Sequence, residues 1–443
     1  MKRILLLSII VSLTVLINMT GCDTDYPPSP WNPDDTGNPS PIVTSVTPPD
    51  TSFEGVGIIQ IAGQNFSSVP SENVVFFNAK RGTVLEATPT LLIIQNPVVI
   101  DIPTQNYVDS IDIKIAVNRA YEFGNYLKTD GNMYPYRLKR AAIEYGNYDA
   151  SDKPHALDCD STGALYVVSE SKIIYKIVPN GAYDFIKTSY CPNTGFSIIT
   201  GLKMGPGGRL FYTRKEKSIY VVPAGGGAKS EFVKVKSKVT DIDFDQNGTL
   251  FAAGTDSIYA VNTTGTPNSK GVAEYKDFAI VSTRVYDNHV YVAGTYKGTD
   301  LLIAKKGIWR NEILDQDGTL GSREEVYDWT DYVGDNGPDI LSITFDEDGD
   351  IYISAKETYV FSGETSTYVK TAAISILHMD TQDIEPFYHQ VLSPPATYMS
   401  WSDQNYIYLV RLTEIETATG APTIRIIRAQ VDKHGAPYYG RQL

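Results

Sequence analysis

The sequence predicts an all-β protein: a small antiparallel sandwich followed by a six-bladed β-propeller. Three observations carry that prediction. The composition leans toward strands and tight turns, with 30 tyrosines and 35 glycines against six methionines in 443 residues. Residues 41–138 hold short apolar runs punctuated by Gly, Pro and Asn. Residues 139–443 hold a self-similar unit that recurs six times at propeller-blade spacing.

The chain opens with an address rather than a domain. In residues 1–21, Lys2 and Arg3 precede an apolar run from Ile4 to Ile17 broken only by Ser and Thr. That is a signal-peptide core, shorter than the ~20 residues a membrane-spanning helix needs. It ends in Met19-Thr20-Gly21-Cys22, which resembles a bacterial lipobox. The resemblance implies cleavage before Cys22 and a diacylglycerol on its thiol. The protein is then expected in the bacterial cell envelope, at the outer membrane, touching the bilayer through its lipid anchor only. Residues 22–40 are proline-rich, which favours extended backbone and suits a stalk.

Charge and cysteine content narrow the function classes. The formal charge is −14, and removal of the leader takes Lys2 and Arg3 with it. Nucleic-acid binding needs clustered cations to displace counterions from phosphates, so no nucleic-acid partner is expected. Beyond Cys22 only Cys159 and Cys191 remain, too few for a disulfide framework. Cys159 falls where other repeats carry Met204, Phe244, Phe345 and Trp401, which reads as a buried thiol in the core.

In the first domain, Ile58-Ile59-Gln60-Ile61, Val74 to Phe77, Leu91 to Ile94 and Ile111 to Val117 read as strands of a sandwich. The opening Ile42-x-x-Ser45-Val46-x-Pro48-Pro49, the strand entering Gly63-Gln64-Asn65-Phe66, and Val74-Val75-Phe76-Phe77-Asn78 after it are the distinguishing residues. Here the chain resembles an IPT/TIG immunoglobulin-like domain. The resemblance implies a spacer or binding module without catalytic residues. Gly63 and Asn65 suit a tight turn and Phe66 a plug at the sandwich edge. Residues 119–133 are longer and more irregular than the family pattern.

The repeat appears in 154–168, 199–213, 239–253, 279–293, 340–354 and 396–410. Each unit is a strand, a turn, and a second strand opening on an aliphatic–aromatic pair: Leu165-Tyr166, Leu210-Phe211, Leu250-Phe251, Val290-Tyr291, Ile351-Tyr352, Ile407-Tyr408. Turn glycines Gly163, Gly208, Gly248 and Gly349 are replaced elsewhere by Asn288 and Asn405, Asn being the other residue that tolerates positive φ. Third strands follow at Ile173–Ile177, Ser218–Val222, Ser257–Val261, Thr358–Phe361 and Ile424–Ala429. The pattern resembles NHL-type and related six-bladed propellers. Ring closure is expected through either Lys139 to Tyr145 or Ala436 to Leu443.

Chemistry is less legible than architecture. At the position of His155 on the inner strand, the other units carry Thr200, Thr240, Ile280, Leu341 and Thr397. A zinc site needs three or four converging His, Cys or carboxylate ligands, so no metal or cofactor is expected, and His155 reads first as a polar residue at the channel mouth and second as a ligand-binding candidate. The turns Asp245-Gln246-Asn247-Gly248, Asp315-Gln316-Asp317-Gly318 and Asp346-Glu347-Asp348-Gly349 lack a full calcium-loop ligand set and read as strand-connecting turns. No Gly-x-Ser-x-Gly elbow occurs, and no catalytic residue is assigned. Between units four and five, Lys305 to Pro338 carry surplus residues with Trp309, Tyr327, Trp329 and Tyr332 among carboxylates. Such aromatics suit either stacking on a glycan or anchoring a protein partner, or packing between blades. The expectation is a lipid-anchored binding or scaffold protein that presents its propeller loops to a glycan or protein. The alternative is a propeller lyase or hydrolase acting on a carbohydrate or lactone.

Overall fold

The protein is described here by a computed structural model covering residues 36–442, except 100–106, 147, 149–151, 182–183, 265, 357–358, 362–367, 371–372, 390, 393–394, 403 and 416–421. Cys22, the leader and most of the stalk lie outside these residues.

Two sheets of the N-terminal sandwich grow directly from period-2 sequence. Ile42–Thr47, Ile58–Gln64, Leu91–Gln95 and Thr83–Thr88 form one, in that order. Gly124–Asn125, Ile113–Val117, Asn73–Phe77 and Lys80–Arg81 form the other. Alternation sends Ile59, Ile61, Val75, Phe77, Ile113 and Ile115 into the core while Ile58 faces out. A third, smaller sheet joins Thr51–Phe53, Tyr136–Lys139 and Tyr107–Ile111. Phe66 is buried as the edge plug and Asn65 turns at φ +63°. Gly63 is required for a different reason than expected. A Cβ there would lie 2.0 Å from the Ile42 carbonyl oxygen and 2.4 Å from the Phe66 ring.

The propeller has six four-stranded blades. Their inner strands are Pro154–Cys159, Gly201–Gly205, Val239–Phe244, Phe278–Tyr286, Ile340–Phe345 and Ala396–Trp401. Each packs against the next, and the last against the first, so the ring is closed. The aromatics that open the second strands (Tyr166, Phe211, Phe251, Tyr291, Tyr352 and Tyr408) are all buried. Gly163, Gly208, Gly248 and Gly349 take positive φ in the inner turns, and Asn288 does so at +58°.

Closure uses the N-terminal option: Ala142–Glu144 is the outermost strand of blade 6, antiparallel to Pro422–Gln430. The third strand of blade 5 is Ile374–Leu377 rather than the expected Thr358–Phe361. Tyr359–Phe361 instead pairs with Tyr368–Lys370 in a separate hairpin inserted between blade strands.

Candidate functional site

The inner strand of a blade is a sheet edge, and its backbone N–H groups face the channel without a ladder partner. Side chains from neighbouring blades satisfy several of them. Asp158 of blade 1 accepts from Met204 N of blade 2 at 2.7 Å. Asp241 and Asp243 of blade 3 accept from Thr283 N and Val285 N of blade 4 at 2.8 and 2.9 Å. Ser282 of blade 4 accepts from Ile343 N of blade 5 at 3.2 Å. The channel carboxylates therefore rivet one blade to the next.

Strand pairing defines a six-residue ring at one level of the channel: Asp158, Lys203, Asp243, Arg284, Thr344 and Ser400. All six are buried, and every one is polar. Arg284 enters the ring although its sequence neighbours suggest Thr283, because the inner turn of blade 4 is only Asp287-Asn288. The guanidinium spans the channel, donating to Asp241 at 3.0 Å and to the Met399 carbonyl of blade 6 at 3.1 Å. Tyr398 of blade 6 reaches the Leu202 N–H and carbonyl of blade 2, each at 3.3 Å. These two side chains cross the channel and close it.

The C-terminal segment seals the mouth at the inner-turn face. Tyr438 lies with its ring 4.4 Å from both Lys203 Nζ and the Arg441 guanidinium, and its hydroxyl meets Thr344. Arg441 donates to Asp158 and, at 2.9 Å, to Ser400. Upstream, Lys433 Nζ sits among Asp346, Asp348 and Asp350 at 3.1, 3.0 and 3.4 Å. The acidic turn that superficially resembles a calcium loop is thus filled by an ammonium from its own chain.

These contacts set the charge states. Burial alone would raise the pKa of both Asp158 and Asp241. At Asp158, Arg441 and Lys203 outweigh it and hold the carboxyl below the usual range. At Asp241, Arg284 and Lys203 do not, and the pKa stays raised.

At the opposite mouth, His155, Thr240, Leu341 and Thr397 each occupy a β-bulge. In blade 4 that position belongs to Val281 rather than Ile280, again because of the shorter turn. Bulges re-aim side chains at channel rims, but the hydroxyls of Thr240 and Thr397 donate to Ala253 and Val410 carbonyls at 3.1 and 3.3 Å. His155 lies 3.8 Å from Glu170, and burial lowers its pKa against the pull of that carboxylate. It does not join the channel carboxylates in any hydrogen bond among the described residues.

The surplus segment of blade 4 corrects an expectation. Its length is absorbed by long outer strands, Lys306–Ile313 and Leu320–Asp328, and by the short helix Trp329–Val333. Trp309 and Trp329 are 1% and 0% exposed, so neither presents a ring face to a ligand. Trp309 packs edge-on against Phe278, and the Trp329 indole N–H donates to the Pro338 carbonyl at 2.9 Å. Tyr327 and Tyr332 are half-buried against the same blade 4–5 core, and burial pushes the Tyr327 hydroxyl up to about 12.

An exposed aromatic group does exist, on the sandwich. Tyr121 and Phe123 are 68% and 53% exposed and border a cleft of about 700 Å³ with Phe76, Asn78, Lys114 and Asn125. The irregular segment 119–133 gave no periodicity from which to place them. The signal that could have found them is the alternation of Val74 and Phe76 with buried Val75 and Phe77.

One part of the chain matches a known family. Residues 41–129 match the IPT/TIG domain family. No curated protein matches the chain. Among solved structures, an auxiliary nutrient binding protein from Bacteroides thetaiotaomicron is similar at 14% identity, covering 89% of this chain and 99% of that one, with a TM-score of 0.47. A gluconolactonase from Xanthomonas campestris is similar at 12% identity, covering 65% and 89%, with a TM-score of 0.45. The virginiamycin B lyase of Staphylococcus aureus is similar at 15% identity, covering 75% and 98%, with a TM-score of 0.39. The chain is an all-β protein in which an IPT/TIG immunoglobulin-like domain precedes a six-bladed β-propeller.

Proposed function

We propose that this is a lipid-anchored protein of the bacterial cell envelope, at the outer membrane, that binds a glycan or protein partner and uses its propeller as a rigid platform. The observation that carries this reading is the commitment of the channel. Its carboxylates hold backbone N–H groups and guanidinium groups of neighbouring blades, and its side chains cross it. A catalytic acid or base must reach a substrate proton, and Asp158, Asp243 and one oxygen of Asp241 are instead engaged in holding the ring together. The lipobox-like Met19-Thr20-Gly21-Cys22 supports the anchor, and the proline-rich stalk supports display away from a membrane.

The test joins two measurements on the chain expressed in a Gram-negative host. Palmitate labelling should be present in the native chain and absent in Cys22→Ser. The purified protein should show saturable binding on a glycan array or to an envelope protein, with no release of products from carbohydrate or lactone substrates. Turnover of such a substrate, abolished by a channel substitution, would replace this reading with the enzymatic one.

A further inference from the structure

The outer face of the second sandwich sheet carries one row of side chains at a single register level. Arg81, Phe76, Lys114 and Asn125 stand on four adjacent strands as direct cross-strand neighbours. Pleating sends all four to the same face, away from the core formed by Val75, Phe77, Ile113 and Ile115. The irregular segment then returns over this row. Phe123 stands nearly perpendicular to Phe76, with ring centroids 6.1 Å apart at 78°. Tyr121 lies against the backbone of Gly37, where a Cβ would come within 2.6 Å of its ring and where φ is +68°. The end of the stalk therefore fixes one wall of the cleft, with Ser40 donating to Glu122 at 3.3 Å.

We infer that this cleft is a carbohydrate-binding site for a neutral, pyranose-containing glycan, an inference that rests on the binding reading above. A pyranose offers flat C–H faces ringed by hydroxyls. Aromatic faces, negative at the centre, attract those C–H groups, while amides and charged groups meet the hydroxyls. The cleft supplies the exposed rings of Tyr121 and Phe123 for the first task, with Phe76 supporting Phe123 edge-on beneath the Arg81 guanidinium. Asn78, Asn125, Lys114 and Glu122 offer both donors and an acceptor for the second. At about 700 Å³ it has the size of a small-ligand site, enough for a short run of sugar rings. Tyr121 and Phe123 stand together beside one cleft, and contiguous exposed apolar groups, unlike scattered ones, mark interaction sites. The cleft is lined by one cation, Lys114, and one carboxylate, Glu122, a balance that suits an uncharged ligand better than a polyanion.

The experiment is isothermal titration of the full chain in detergent with maltoheptaose, cellohexaose, xylohexaose and mannohexaose. It is repeated for Phe123→Ala and Tyr121→Ala, whose exposed positions leave the fold intact by melting temperature. Gly37→Val serves as a second probe, because a side chain there would meet the Arg119 carbonyl at 2.5 Å and the Tyr121 ring at 2.6 Å and so displace the segment that carries Tyr121. The expected result is binding of at least one oligosaccharide, weakened at least tenfold by each alanine substitution and measurably by Gly37→Val. Binding unchanged within twofold in both alanine variants would overturn this site while leaving the protein a binding protein. Failure of all four probes to bind would overturn the neutral-glycan assignment. Cleavage of a probe, read by chromatography of the titrated sample, would instead overturn the binding reading itself.

Discussion

Arg284 and Asp241 form the most enclosed ion pair of the ring, each side chain 1% exposed. Removing one partner strands the other charge in a low-dielectric interior. Arg284→Met is therefore expected to cost about 3–5 kcal/mol, whereas Arg284→Met with Asp241→Asn costs less than the sum of the two single changes. Urea midpoints of the four proteins check this. Asp158 makes a pH-dependent prediction of definite sign. Its carboxyl is held below the usual range in the folded state by Arg441 and Lys203, acting against burial. The folded chain thus favours the ionised form, and the stabilisation is present above the unfolded pKa and lost as pH falls through the folded one. The destabilisation caused by Asp158→Asn should be full at neutral pH and shrink below about pH 4, measured as the difference in melting temperature across a pH series.

At the scale of the element, blade 4 shows what periodicity can and cannot settle. Trp309 sits mid-strand with Ile308 also buried, so the eight-residue strand is covered on both faces and alternation gives no inward side. A buried tryptophan fits a core as well as its neighbours do, and Trp309→Ala should cost about 3–5 kcal/mol by leaving a cavity beside Phe278. Chemical denaturation reads that loss, while glycan affinity in the folded fraction should not change. Strand identity, blade spacing and the aliphatic–aromatic pairs were legible because they follow a period of two inside a period near 40. The ring of polar residues is legible in every blade but one. Asp158, Lys203, Asp243, Thr344 and Ser400 align by counting back from the aromatic, but a turn one residue shorter in blade 4 shifts Arg284 into place of Thr283. The platform of Tyr121 and Phe123 lies in a segment with no period, and Tyr121 packs against Gly37, far away in sequence.

For the whole molecule, the ring depends on a strand borrowed from before its first repeat. Without Ala142–Glu144 the third strand of blade 6 becomes an open edge, with unpaired groups available to another chain. A chain beginning at Lys139 should therefore keep the elution volume, relative to its mass, of the full chain by size-exclusion chromatography. One beginning at Gly146 should melt at lower temperature and self-associate. Either end of the repeat array could close the ring as far as pattern goes, because a three-residue strand carries little pattern and its pairing partner lies at the other end of the array.

That closing strand also imposes an order in time. Ala142 pairs with Ala429, so the first strand of the ring to be synthesised must wait for almost the last. Five blades can form in chain order as they emerge, four from consecutive strands and blade 5 around its inserted hairpin. The seam can join only when nearly the entire chain is present. A ribosome that stops early yields a row of finished blades with no seam, and such a product exposes its incompleteness as a free strand edge that proteases and chaperones can recognise.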